Sequence, residues 1–66
     1  MDLFRKRKII VELEHNLYLA NFAGDPGRTL KIENARIFTS ERQAKNALAR
    51  AKKFRSFDSA IVRELN

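Results

Sequence analysis

Residues Thr39 to Arg55, TSERQAKNALARAKKFR, limit what this chain can fold into more than any other stretch. Ser40 is placed to cap a helix, and Gln43 stands where a capping box wants Glu or Gln; Thr39 is the alternative cap. Ala44, Ala47, Leu48, Ala51 and Phe54 then recur at the three- and four-residue spacing of one helix face. Arg42, Lys45, Arg50, Lys52 and Lys53 occupy the other faces, with Glu41 as the single acid. The spacing predicts an amphipathic helix from about Glu41 to Phe54, with a small apolar inner face and a cationic outer one.

Upstream, Lys8 to Glu14 alternates, with Ile9, Val11 and Leu13 on one side and Ile10, Glu12 and Glu14 on the other. That is a strand with one buried face. His15-Asn16 reads as a two-residue hairpin turn, because Asn tolerates positive φ. A regular ladder from that turn pairs Glu14 with Leu17, Leu13 with Tyr18, Val11 with Ala20 and Ile9 with Phe22. Tyr18, Ala20 and Phe22 then join the core face, and Ile10, Leu17 and Leu19 fall on the outer one. A slip of one residue inverts these assignments.

Gly24-Asp25-Pro26-Gly27 is turn chemistry, followed by a brief third strand over Thr29–Ile32. Glu33 to Ala35 reads as a turn, and Arg36 to Phe38 as extended chain leading to the helix. Ser56 to Ser59 breaks the helical period, and Ala60 to Leu65 has strand character. The order β-β-(β)-α-β predicts an α+β fold, a small antiparallel sheet covered on one face by the helix. Alanines at positions 44, 47 and 51 allow that helix to lie close to the sheet.

The segment Asn34 to Leu48, NARIFTSERQAKNAL, resembles a pattern in short phage- and prophage-borne proteins of unknown function. In those proteins a hairpin precedes an Ala-x-x-Phe approach, a Ser-capped helix with spaced alanines, and a closing strand. The matching positions here are Ala35, Phe38, Ser40, Ala44 and Ala47. The resemblance implies the fold and a phage-like setting; no functional residue comes with it.

At 66 residues the chain makes one small domain, residues 1–66, with residues 1–7 as a basic N-terminal arm. It has no cysteine, which excludes disulfides and cysteine-based zinc sites. The longest apolar run near the N-terminus is Ile9-Ile10-Val11, far short of a signal region or of the about 20 residues of a membrane span. A cytoplasmic location and no membrane partner are the corresponding expectations.

Candidate chemistry is sparse. His15 lies in a predicted turn without metal-ligating neighbours at useful spacing, and the GDPGRT stretch lacks the phosphate-loop pattern. The acids form no pair that spacing would set in a cleft. The expectation is a non-enzymatic chain with no cofactor.

Charge is the functional signal. The net charge is +6 and the pI about 10.3, a balance that favours nucleic acid or an acidic protein surface. Arg42, Lys45, Arg50, Lys52 and Lys53 on the helix, with Arg5, Lys6 and Arg7 of the arm, form the candidate nucleic-acid face. A solvated face is the plainer account, since Lys52 and Lys53 also complement the helix dipole. That account leaves the shortage of acids unexplained. There is no helix-turn-helix pair, zinc finger or aromatic RNA-binding strand pattern, so contact through backbone phosphates is the expected mode. Ile10, Leu17 and Leu19 form a second candidate, a homodimer seam or a docking patch for a host factor, unless other chain covers that sheet face.

Overall fold

The computed structural model describes residues 7–22, 24 and 27–65. Arg5 and Lys6 of the arm, and Asp25 and Pro26 of the predicted turn, lie outside the described residues. The order of elements is β1 (Lys8–Glu14), β2 (Leu17–Leu19), β3 (Arg28–Thr29), a 3-10 turn (Ile32–Asn34), α1 (Glu41–Ala51) and β4 (Ile61–Leu65). The strands form one antiparallel sheet in the order β3-β2-β1-β4, an α+β fold.

β1 is an interior strand, paired along both edges, and carries buried apolar residues on both faces. Ile9, Val11 and Leu13 pack toward α1 with Phe38, Ala44, Ala51 and Phe57. Ile10 points the other way, into a smaller cluster with Tyr18 and Ala35. One edge of β1 pairs with β4 from Lys8↔Leu65 to Glu12↔Ile61. The other edge is shared. β2 covers its C-terminal end, and residues 36–38 take over where β2 turns away, through an isolated bridge between Ile9 and Phe38. The 36–38 segment and β4 are both antiparallel to β1 and hence parallel to each other, which is why a helical crossover joins them.

The hairpin register differs from the regular ladder. Glu14 pairs with Leu17 as expected, but the next pair is Glu12 with Tyr18, leaving Leu13 as a bulge. A two-residue hairpin turn of mirror type needs positive φ at its first central position, and in type I′ at both. Asn16 takes it, at 59°, and His15 does not. The irregular turn and the bulge together invert β2 relative to expectation. Leu17 and Leu19 pack on the helix side, and Tyr18 faces the opposite cluster. Phe22, expected in the core, is exposed.

The bounds of two elements also shift. β3 is confined to Arg28–Thr29, because the Thr29 hydroxyl accepts the Lys31 N–H at 3.1 Å and ends the strand in a local turn. α1 ends at Ala51, short of Phe54. The Lys53 N–H returns to the Arg50 carbonyl and the Phe54 N–H to that of Ala51, a tightened three-residue pattern that swings Phe54 off the apolar stripe. Phe54 is exposed, and Phe57 takes the core position instead.

Candidate nucleic-acid interface

α1 begins where the cap predicts. The Ser40 hydroxyl accepts the Gln43 N–H at 3.2 Å, and the Thr39 hydroxyl donates to Gln43 Oε1 at 3.2 Å. Ala44 and Ala51 are buried, Ala47 and Leu48 half-buried, and every charged residue of the helix is exposed. Lys45 and Arg50, five positions apart, are separated by about 140° around the axis and so stand on opposite flanks. Lys52 and Lys53 follow the helix in the hydrogen-bonded turn.

Glu41, the acid of the helix, and Glu64 and Glu12 of the sheet are engaged by other cations. Arg7 donates to Glu64 through Nε at 3.1 Å and Nη2 at 2.8 Å, and its Nη2 lies 3.5 Å from Glu41. Its pKa is raised above the ordinary value, first by the hydrogen bond to Glu64 and then by that carboxylate's charge. A raised pKa means that any contribution to stability persists below the unfolded value and is lost only above the folded one, beyond ordinary working pH. Arg63 lies 3.8 Å from Glu12. Among the described residues, Arg42, Lys45, Arg50, Lys52 and Lys53 make no side-chain hydrogen bond or ion pair. Arg7 differs from the other expected phosphate-contacting residues in that its guanidinium is shared between two carboxylates.

The aliphatic patch is also corrected. Ile10 is 0% exposed and Leu19 6%, and they belong to clusters on opposite sides of the sheet, with half-buried Leu17 on the Leu19 side. Ile10, Leu17 and Leu19 thus share no surface, because the Leu13 bulge turned β2 over.

A feature that sequence spacing did not single out is a cleft of about 480 Å³ between one flank of α1 and the sheet. Leu19, Ala20, Phe38 and Ala51 supply its apolar lining, and Gln43, Asn46, Arg50 and Phe54 come from the helix and the turn after it. Arg36 lines it from the sheet side, its guanidinium carbon 4.7 Å from the Phe38 ring centre. Among the described residues, no acidic side chain is in its lining. Gly27 also lines it. A Cβ there would fall 2.0 Å from the Phe22 carbonyl oxygen, so the last glycine of GDPG serves a close backbone approach. Spacing supplies each half of the cleft separately and not their meeting. Arg36 and Phe38 are two apart in extended chain, and Gln43, Asn46 and Arg50 follow at three and four on a helix.

His15 is exposed in its turn, and among the described residues no three metal-ligating side chains gather. No helix among them is long and apolar enough to cross a membrane. Comparison with family profiles, with characterised proteins and with solved structures gives no match for this chain.

Proposed function

We propose that this protein is a non-enzymatic basic module that contacts nucleic acid through backbone phosphates. The observation that carries this reading is the segregation of charge. Glu41 and Glu64 are held by Arg7, while Arg42, Lys45, Lys52 and Lys53 stay exposed and without acidic partners among the described residues. An ordinary solvated helix mixes both signs along its surface. Cations left uncompensated along one helix and its following turn suit a polyanion with regularly spaced charge, where each neutralised phosphate releases counterions. The phage-like setting is part of the proposal and rests on the sequence resemblance alone. An acidic protein surface is the competing partner for the same cations.

The test is fluorescence anisotropy with a labelled duplex and a labelled single strand at about 50 mM salt, where non-specific contacts are strong. Binding is expected in the roughly 10⁻⁴–10⁻⁶ M range, nearly independent of sequence. The double substitution Arg42→Glu and Lys45→Glu adds negative charge toward the helix N-terminus, which the macrodipole tolerates. The helix should survive and the affinity should fall tenfold or more. Absence of binding to both probes retires the proposal in favour of the acidic-protein partner.

A further inference from the structure

Of the five helix cations only Arg50 lines the cleft, and the cleft has a chemistry of its own. Its lining combines two arginines, Arg36 and Arg50, two side-chain amides, Gln43 and Asn46, and the exposed ring of Phe54. Asn46 and Arg50 make no side-chain hydrogen bond among the described residues, and Gln43 uses only its carbonyl oxygen, toward Thr39. The donors of both amides therefore remain for a ligand. Arg36 is steadied by the Phe38 ring, yet a guanidinium stacked on a ring keeps its in-plane N–H groups for an anion.

We propose that this cleft accepts one unpaired nucleotide of a single strand, its phosphate toward Arg36 and Arg50 and its base against Phe54 within reach of the amides. The proposal rests on the phosphate-contacting function above and adds the strand state of the ligand. Charge complementarity calls for an anion. An acidic peptide would satisfy the arginines but not the pairing of an exposed ring with two amides, which suits a flat, hydrogen-bonding base. The volume of about 480 Å³ falls within the roughly 300–1,000 Å³ range of small-ligand sites, enough for one nucleotide rather than a duplex. Bases stacked inside a duplex cannot enter, so a duplex is left with the outer face alone.

The experiment compares affinities for a labelled oligothymidylate and for a duplex of equal length, in the wild type and in Phe54→Ala. Loss of one base–aromatic stack corresponds to a change of roughly five- to a hundredfold. The wild type is expected to prefer the single strand by about tenfold, and Phe54→Ala, which removes an exposed ring, to bring that ratio near one. In heteronuclear spectra of the wild type, a four-nucleotide oligothymidylate should shift the side-chain amides of Gln43 and Asn46. Equal wild-type affinity for both strand types, a preference kept in Phe54→Ala, or unmoved amide signals overturns the cleft assignment while phosphate contact stands. Equal shifts from free thymidine monophosphate at the same concentration overturn the assignment to a strand. Binding to neither probe overturns both readings.

Discussion

Ile9 and Phe38 exchange two backbone hydrogen bonds, 2.9 Å from the Ile9 N–H to the Phe38 carbonyl and 2.7 Å in return. This bridge fixes the alternation of residues 36–38. Arg36 and Phe38 face the cleft, and Ile37, half-exposed, points away. The connection from sheet to helix is thus part of the ladder, and Arg36, the arginine proposed to meet a phosphate, sits on a braced backbone. Native-state hydrogen exchange checks this. The Ile9 and Phe38 amides should exchange only through near-global opening, and the Ile37 amide, unbonded among the described residues, should exchange fast. Fast exchange at Phe38 would remove the bridge from the account.

The Leu13 bulge places Leu19 in the core rather than on a docking surface. Leu19→Ala should therefore cost about 2–5 kcal/mol, with a fall in melting temperature that does not depend on protein concentration. Leu30→Lys, at a residue 74% exposed, should leave the transition almost unmoved. A concentration-dependent loss in Leu19→Ala would point back to a seam between copies.

Gly27 lies where β3 closes on residues 20–22. An added Cβ would meet two carbonyl oxygens, at 2.0 Å from Phe22 and 2.7 Å from Ala20, and neither backbone can yield alone. Gly27→Ala should separate these segments, weaken the 2.9 Å bond from the Ala20 N–H to the Gly27 carbonyl, and destabilise by about 1–3 kcal/mol. Chemical denaturation gives the free energy, and the Ala20 amide reports the local opening. An unchanged midpoint with a protected Ala20 amide would contradict the close approach.

The elements that could be read from the sequence are those governed by local rules. The Ser40 cap, the alternation of β1 and the positive φ of Asn16 each follow from one residue and its near neighbours. The closing strand at Ile61–Leu65 carried its own β-branched residues. What escaped is set by longer-range competition. A single-residue bulge leaves the pattern of β1 intact while turning β2 over, so nothing in the alternation signals it. Phe54 and Phe57 are both apolar residues beyond the helix, and the tightened turn after Ala51 decides which enters the core. Arg7 looked like a free arm cation because its partner Glu64 lies at the far end of the chain. The cationic face was legible from helical spacing; the cleft was not, since it needs Arg36 and Arg50 brought together by the sheet.

The central claim is that Arg42, Lys45, Lys52 and Lys53 contact phosphates, and the salt dependence of binding tests it most directly. Four neutralised phosphates on duplex DNA give a slope of log K against log salt of about −3.6. Affinity should then fall by roughly two orders of magnitude between about 50 and 200 mM salt, measured by anisotropy on a labelled duplex. A slope near −3.6 that flattens in the Arg42→Glu and Lys45→Glu variant is the predicted result. A slope near zero, or no binding at about 50 mM salt, would contradict the account.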